Sequence, residues 1–294
     1  MITIASRGSP LALWQARYIQ SLISPLSSRI ETIVTQGDKG VLGKEAFVKE
    51  IQEALIKDTA DLAIHSFKDM AYLSPEGLSI LAVPKRHDSR DLLIPKNPLL
   101  SILSLKKKQN VQFASSSLRR KFLLEKEFPG CEVLPLKGNI DTRLKKLSLS
   151  GWDGIVLALA GIERLNLYQP YMIPLDPCFF IPAPAQGALA IEGKMHHKFM
   201  ISLNDLDACF ETIIERFIAE KLGGGCLTPL GVHLHDMIVF IAYPGKEILK
   251  YKVSDSHKKD FSSSFKGKFF FELESLFQTS SLAKELESFL KEHF

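Results

Sequence analysis

The sequence has few cysteines and no long apolar stretch, and both shortages exclude classes of protein. Its four cysteines, at positions 131, 178, 209 and 226, lie far apart, and none belongs to a C-x-x-C pair. This spacing argues against a disulfide framework and a structural zinc site, so no metal is expected. No run approaches the roughly 20 apolar residues of a membrane span, and the N-terminus lacks a signal-peptide pattern. We therefore expect a cytoplasmic protein with no membrane partner.

The net positive charge is small, and the arginines are unevenly distributed. The formal net charge is +4, and no dense basic stripe with interleaved aromatic residues is present, so no nucleic-acid partner is expected. All ten arginines precede residue 217. Arginine is the side chain that binds carboxylate or phosphate groups in a bidentate manner. An anion site in the first two-thirds of the chain follows as a prediction.

Strand and helix signals alternate along most of the 294 residues, a length typical of two or three compact units. Residues 1–85 and 111–160 each predict βαβ units with a largely parallel sheet, and the second begins after a stretch over 95–108 that contains proline and lysine. The Pro-rich segment 181–187 predicts a linker or crossover. The apolar run 154–160 predicts a central parallel strand. After residue 206 a long helix precedes strand-like segments, the last at 268–272, and a terminal helix. These segments predict a small α+β unit, and the two similar α/β units suggest architectural duplication.

The segment Gly223-Gly224-Gly225-Cys226 can present a thiol to a cleft. Three glycines after a helix permit positive φ and leave the cysteine uncrowded. The alternative is a helix C-cap followed by an ordinary buried cysteine. Residue types alone leave both interpretations open.

The segment Ser115-Ser116-Ser117-Leu118-Arg119-Arg120 follows a predicted strand and opens a helix. Hydroxyl and backbone N–H groups at a helix N-terminus form an anion pocket that arginines would reinforce. The alternative is a serine N-cap with two solvated arginines. Adjacent helical residues point about 100° apart, so the two arginines are not expected to serve one partner.

Other charged residues follow predicted strands, where ligands of open α/β sheets bind. Lys68 and Asp69 follow one strand, and a carboxylate there can stabilise a cationic intermediate or move protons. A surface ion pair is the plain alternative. Further polar residues at strand ends and helix starts are Arg7, Ser9, Arg143 and Arg164. Together they predict a polyanionic ligand between two α/β domains.

Nine sequence blocks occur in one order over about residues 3–231. They are Ser6-Arg7-x-Ser9-Pro10-Leu11-Ala12-Leu13-Trp14-Gln15-Ala16, Phe47-Val48-Lys49-Glu50, His65-Ser66-x-Lys68-Asp69, Arg86-x-Asp88-x-Arg90-Asp91, Ser116-Ser117-Leu118-Arg119-Arg120, Gly138-Asn139-x-x-Thr142-Arg143-Leu144, Leu157-Ala158-x-Ala160-Gly161, Gln186-Gly187-Ala188 and Gly224-Gly225-Cys226-x-x-Pro229-x-Gly231. This set resembles the hydroxymethylbilane synthase family, also called porphobilinogen deaminase.

The resemblance implies a transferase of porphyrin and haem biosynthesis. The family deaminates four porphobilinogen molecules, joins them head to tail on a dipyrromethane primer, and releases hydroxymethylbilane by hydrolysis. The primer is a covalent cofactor, and the match places its thioether on Cys226. The implied catalytic residues are Asp69 and Lys68. A monomer is expected from the family.

The resemblance also implies two sets of binding residues. The cofactor-binding set is Cys226, Lys68, Asp69, Ser115, Ser116, Ser117, Arg119, Arg120, Lys137, Gly138 and Arg143. The substrate-binding set is Arg7, Ser9, Arg143, Arg164 and Gln186. Both sets suit a ligand in which each pyrrole carries an acetate and a propionate.

The implied fold is two periplasmic-binding-protein-like α/β domains with a smaller C-terminal α+β domain. Domain 1 comprises residues 1–88 plus 188–204, domain 2 residues 89–187, and domain 3 residues 205–294. The competing function is a non-catalytic cytosolic anion-binding protein of the same fold, which would need neither Asp69 nor a tethering cysteine.

Four positions depart from the family pattern. Lys137 replaces a usual arginine and keeps the charge without the bidentate fork. Gln36 precedes Gly37-Asp38 where the family has arginine or lysine, and the loop over 37–46 is shorter than usual. Ala185 replaces a common glycine near the expected hinge. An active but slow enzyme is the expectation.

Overall fold

The computed structural model describes residues 1–36, 48–194, 198–224 and 228–294. Within these ranges the chain forms two five-stranded sheets and one three-stranded sheet, with helices packed against them. No helix of the described ranges has the length and apolar character needed to cross a membrane. The prediction of two α/β units followed by a smaller α+β unit is confirmed.

The first sheet holds the N-terminal strands and one strand from much later in the chain. Its strand order is β2-β1-β3-β10-β4. The strands are β1 (Ile2–Ser6), β2 (Ser28–Thr32), β3 (Leu62–Ser66), β4 (Ser79–Ala82) and β10 (Leu189–Gly193). The helices are α1 (Pro10–Leu22) and α2 (Lys49–Ile56). Helix α1 begins as its sequence predicts, with Ser9 as N-cap accepting a hydrogen bond from the Ala12 amide and Pro10 at the first position.

The second sheet repeats the plan of the first, with strand order β7-β6-β8-β5-β9. Its strands are β5 (Asp91–Pro95), β6 (Gln112–Ala114), β7 (Glu132–Leu134), β8 (Gly154–Ala158) and β9 (Ile173–Pro174). Its helices are α3 (Ile102–Lys107), α4 (Leu118–Glu127), α5 (Ile140–Leu149) and α6 (Leu159–Arg164). In both sheets three parallel strands are followed by one antiparallel strand and an edge strand, which agrees with the predicted duplication.

Each antiparallel strand enters its sheet from the other unit. Strand β10 is antiparallel to β3 and β4, and β5 is antiparallel to β8 and β9. The expectation of largely parallel sheets is therefore corrected at these two positions. A strand arriving by a short crossover from the neighbouring unit needs no return helix, and a parallel connection would need one.

One local prediction in the second unit is wrong. The expected strand over 154–160 ends at Ala158, and the next residues form α6 because Leu159 and Ile162 pack beneath the sheet. The stretch over 95–108, for which no element was predicted, contains helix α3 with Ser101 as its N-cap.

The C-terminal unit contains one antiparallel sheet, in the order β11-β12-β13, and four helices. The strands are β11 (Gly231–His235), β12 (Ile238–Ala242) and β13 (Leu249–Lys252). The helices are α7 (Leu206–Lys221), α8 (Asp255–Phe265), α9 (Phe270–Gln278) and α10 (Ser281–His293). The predicted strand over 268–272 is instead the start of α9, because Phe270, Leu273 and Phe277 share one buried helical face.

The core of the C-terminal unit extends into the first unit. One buried cluster joins α7, α9 and α10 to Phe67, Met70 and Ala188. Helix α7 lies at its centre, with Phe210, Ile214 and other side chains on most of its faces buried. The segment that follows β3 is thus packed against the C-terminal unit.

Candidate active site

Lys68 and Asp69 lie in a single 3₁₀ turn, Phe67–Asp69, directly after strand β3. The Phe67 side chain is fully buried and anchors the start of the turn, while Asp69 is exposed and Lys68 half-buried. Before the turn, Gln15 Nε2 of α1 donates a hydrogen bond to Ser66 Oγ at 2.8 Å. The turn is thus anchored by Phe67 and presents the Asp69 carboxylate to solvent directly after a strand, the position that the sequence predicts.

Asp91, the first residue of β5, receives both arginines of helix α4. Arg119 Nη1 lies 2.6 Å from Asp91 Oδ2, and Arg120 Nη2 lies 2.7 Å from Asp91 Oδ1. All three side chains are buried. The expectation that adjacent arginines cannot serve one partner is therefore wrong, because each long side chain reaches a different oxygen of one carboxylate. The alternative of two solvated arginines is also wrong.

Gln186 joins the Asp91 carboxylate to the turn that carries Lys68 and Asp69. Its Nε2 donates to Asp91 Oδ1 at 3.0 Å and to the Ser89 carbonyl at 2.8 Å, while its Oε1 accepts from Lys68 Nζ at 3.2 Å. Lys68, Gln186, Asp91 and the two arginines thus form one continuous polar cluster, which we call the Asp91 cluster.

Electrostatics in the Asp91 cluster favour a charged Asp91 carboxylate and lower the pKa of Lys68. Although burial alone would raise the pKa of Asp91, Arg119 and Arg120 hold it well below its usual range. Burial lowers the pKa of Lys68 to about 8, a shift that Asp69 opposes and Arg120 reinforces.

The serines before α4 are used in local hydrogen bonds. Ser117 is the N-cap and accepts from the Arg120 amide, and Ser115 Oγ accepts from the Ser117 amide at 3.2 Å. Ser116 Oγ donates to the Leu136 carbonyl and accepts from the Leu136 amide, each at 2.9 Å. The N-cap half of the sequence interpretation is thus confirmed, and Ser116 ties this loop to the segment after β7.

Arg143 lies in the first turns of α5, within electrostatic reach of Arg120 and Asp69. Its Nε donates to the Gly138 carbonyl at 2.6 Å, and burial lowers its pKa. Lys137 is exposed, with its carbonyl accepting from Lys146 Nζ. Of these residues, Arg143 is the one with an electrostatic interaction with Asp69.

Two crossover segments connect the α/β units, one from β4 to β5 and the other from β9 to β10. Arg164 lies at these segments, apart from the Asp91 cluster. Its Nη2 donates to the Gly187 carbonyl at 2.6 Å, and its Cζ lies 5.7 Å from the Trp14 ring. Its Nε is buried with no hydrogen-bond partner among the described residues. Burial, followed by the charge of Arg164, lowers the pKa of the neighbouring His87 to about 4. His87 is therefore neutral at pH 7.

The crossover segments touch at Gly187, where a side chain does not fit. Gly187 has φ of +89°, and a Cβ there would lie 2.4 Å from the His87 carbonyl oxygen. The His87 amide in turn donates to the Gly187 carbonyl at 3.2 Å. Gln186 is consequently held between the two crossovers.

A second buried carboxylate, Glu215 of α7, was not singled out by the sequence reasoning. It receives both terminal nitrogens of Arg86 at 2.9 Å and lies 2.8 Å from His233 Nδ1. The amides of Ala185 and Leu234 also donate to it, at 2.7 and 3.0 Å. Although burial would raise the pKa of Glu215, Arg86 and His233 hold it at about 2. The available signal was a charged pair, Glu215-Arg216, between the apolar pairs 213–214 and 217–218 of α7.

Arg7 and Ser9 follow β1, where Ser9 caps α1. Cys226 and the loop over 37–46 lie outside the described residues. No group of three or more His, Cys, Asp or Glu side chains suited to a metal occurs in the ranges that the structure covers.

Cations outnumber carboxylates around the turn. The cations are Lys68, Arg119, Arg120 and Arg143, and the carboxylates are Asp69 and Asp91. This surplus of positive charge fits a ligand that carries several carboxylates, and arginine forks suit such groups best.

Comparisons with known proteins agree with this chemistry. The family described as "Porphobilinogen deaminase, dipyromethane cofactor binding domain" matches residues 2–202. The chain is 36% identical to the porphobilinogen deaminase of Campylobacter hominis over 292 residues, covering 91% of this chain and 94% of that protein. It is 40% identical to that of Chromobacterium violaceum over 245 residues, covering 78% of each. A solved structure, the probable amino-acid ABC transporter extracellular-binding protein ytmK of Bacillus subtilis, overlays with a TM-score of 0.43 at 13% identity, covering 76% of this chain and 95% of that one.

Proposed function

Because the chain belongs to the porphobilinogen deaminase family, we propose that it deaminates porphobilinogen and joins four molecules head to tail on a dipyrromethane primer, releasing hydroxymethylbilane by hydrolysis. The chain is an enzyme of tetrapyrrole biosynthesis with a dipyrromethane cofactor. The observation that carries the detailed proposal is the surplus of cations around the exposed Asp69 carboxylate.

The residues around the turn fit this cofactor. When bound, the cofactor supplies the terminal pyrrole onto which substrate units are added. Its carboxylates would lie against Arg143, Lys68 and the arginines of the Asp91 cluster, with Ser115–Ser117, Lys137 and Gly138 at the border. Cys226 would hold it through a thioether, a bond that resists turnover because a thiolate is a poor leaving group from it.

Asp69 is proposed as the catalytic carboxylate. Loss of ammonia from porphobilinogen leaves a cationic ring with an electrophilic methylene carbon. Carbon–carbon bond formation at that carbon would be followed by loss of a proton from the pyrrole that attacked it. An exposed carboxylate on a fixed turn can stabilise that positive charge and take up the proton. Lys68 beside it would neutralise a substrate carboxylate, since its pKa of about 8 leaves it mostly charged at pH 7.

Arg7, Ser9, Arg143, Arg164 and Gln186 form the proposed substrate-binding set. Gln186 bonds to both Lys68 and Asp91. It would therefore fix the position of the Lys68 side chain without adding a charge of its own. We also propose the domain boundaries 1–88 plus 188–204, 89–187 and 205–294. The presence of β10 in the first sheet supports the discontinuous first domain. A monomeric state and a cytoplasmic location are proposed as well.

Intact-mass measurement with peptide mapping tests the proposal. We expect the purified protein, or apoprotein incubated with porphobilinogen, to carry two linked pyrroles on the Cys226 peptide. Cys226→Ser should remove the adduct, whereas the control Cys178→Ser should keep it. Asp69→Asn should keep the fold and stop most condensation. Failure to form any adduct would favour the anion-binding alternative, and near-normal turnover of Asp69→Asn would remove that residue from catalysis.

A further inference from the structure

Arg216 is a buried arginine of helix α7 that the proposed chemistry does not use. It is 4% exposed and follows Glu215, yet it faces a different part of the molecule. Its Nε forms an ion pair with Glu274 Oε1 at 3.7 Å, a distance too long for a hydrogen bond. Its terminal nitrogen and its planar face contact the segment that carries Asp69.

Arg216 holds both ends of residues 67–72. Its Nη2 donates to the carbonyls of Ala71 and Tyr72, at 3.0 and 2.9 Å. Its Cζ lies 4.4 Å from the centroid of the Phe67 ring and 5.2 Å from that of Tyr72. One guanidinium thus stacks on the residue before Lys68-Asp69 and bonds to the backbone after it.

The same segment contacts the end of α7 that leads to Cys226. A Cβ on Gly224 would lie 2.8 Å from Tyr72 Oη and 2.5 Å from the Ala219 carbonyl oxygen. The Gly224 amide donates to that carbonyl at 2.6 Å. Tyr72 therefore lies directly against the chain two residues before Cys226, and glycine is required for this close approach.

We propose that Arg216 is a positioning residue, which fixes the turn carrying Asp69 relative to the end of helix α7 that leads to Cys226. This inference rests on the proposed function, in which Asp69 is the catalytic carboxylate and Cys226 the anchor. The two groups lie in different units of the chain, so their spacing depends on contacts between those units. Arg216 supplies four such contacts from one side chain.

Regular secondary structure does not hold the turn on its C-terminal side. It is three residues long, its N-cap Ser66 makes no side-chain capping bond, and the residues from Ala71 to Gly77 belong to no strand or helix. Loss of Arg216 would leave two carbonyls and two aromatic faces without this cation. A misplacement of about 1 Å at a reacting group can lower turnover by about 100-fold.

Arg216→Met tests the inference, because methionine keeps the apolar length and removes the charge and donors. We expect kcat to fall about 10- to 100-fold while KM changes less than about threefold, the pattern of a lost positioning contact. Hydrogen exchange should become faster at the amides of residues 68–72. Lys221→Met is the matched control, since Lys221 lies 5.2 Å from the Phe217 ring on the same helix and pairs with surface Glu287.

Arg216→Lys keeps a cation over the rings and provides a second variant if methionine impairs folding; we expect an intermediate kcat. Unchanged exchange at 68–72, or a kcat equal to that of Lys221→Met, would overturn the inference. So would a loss of kcat that matches the loss of folded protein in thermal unfolding. The exchange measurement needs no cofactor, so it still tests the contact if Asp69→Asn and Cys226→Ser contradict the proposed function.

Discussion

Two fully buried carboxylates flank the crossover segments, and they are partnered in different ways. Asp91 receives two arginines and the Gln186 amide. Glu215 receives one arginine, one histidine and two backbone amides. Gln186 links them, since its side chain bonds Asp91 while its backbone carbonyl accepts from Arg86 Nε at 2.9 Å.

The two groups differ in the positive charge that remains after the buried carboxylate is paired. Around Asp91 two guanidiniums share one carboxylate, and Lys68 adds a third cation, so positive charge remains for an anionic ligand. Around Glu215 the single guanidinium of Arg86 also pairs with Glu211 at 2.9 Å, and the backbone amides add donors without net charge. We infer that the first group prepares a binding surface, whereas the second holds the crossovers and α7 together.

Among the variants that test this comparison, Asp91→Asn should lower the free energy of unfolding most. Two buried guanidiniums would then face each other without a counter-charge. Removal of one partner from a buried ion pair costs about 3 to 5 kcal/mol, and we expect a loss of that size in the free energy of unfolding in urea at pH 7. Asp207→Asn, which breaks an exposed pair with Lys258, should cost less than about 1 kcal/mol. Similar costs for the two variants would show that the Asp91 pairing adds no stability.

Glu215→Gln should cost less, because Glu211 still pairs with Arg86 and the amide oxygen can still accept. Hydrogen bonds to a charged group contribute about 1.5 to 3 kcal/mol, and we expect a loss in that range in the same urea experiment. Glu31→Gln at the exposed Arg29 pair is the control. A loss larger than that of Asp91→Asn would reverse the proposed ranking of the two groups.

Acid titration of the same variant checks the pKa of Glu215. The folded-state pKa is depressed from the usual 4.5 to about 2, so its contribution is complete above pH 4.5 and is lost as pH falls towards 2. The stability gap between wild type and Glu215→Gln should therefore narrow over that range. A gap independent of pH would exclude a depressed pKa.

Local sequence signals predicted much of the fold and the position of several candidate residues directly after strands. Ser9 and Pro10 mark the start of α1, while Lys68-Asp69 follow β3 and Ser115–Ser117 follow β6. Strands β5 and β10 were not predicted, because their partners lie in other units and no local periodicity reports such pairing. The role of Asp91 was missed for the same reason, since its partners at 119, 120 and 186 meet it only across a crossover. The Phe-rich segment near 270 was misjudged because aromatic residues favour strands, while their spacing here suits a helix.

The smallest expected change in stability is at Ala185, where Glu215 accepts a hydrogen bond from the backbone of the crossover segment. Its φ is +58°, a left-handed conformation that costs a residue with a side chain about 1 to 2 kcal/mol. Its amide donates to Glu215 Oε2 at 2.7 Å, which holds the backbone there. In Ala185→Gly the relieved strain offsets the lost methyl burial, about 0.8 kcal/mol, and the added freedom of the unfolded chain, about 0.4 to 1 kcal/mol.

We therefore expect Ala185→Gly to change the free energy of unfolding by less than about 1 kcal/mol. Ala82→Gly is the matched control, because Ala82 is equally buried but lies in strand β4, where no strain is relieved. It should be the more destabilising of the two by about 1 to 2 kcal/mol. Equal costs in urea unfolding would mean that the left-handed backbone at Ala185 carries no strain, and that glycine has no advantage at this position of the crossover.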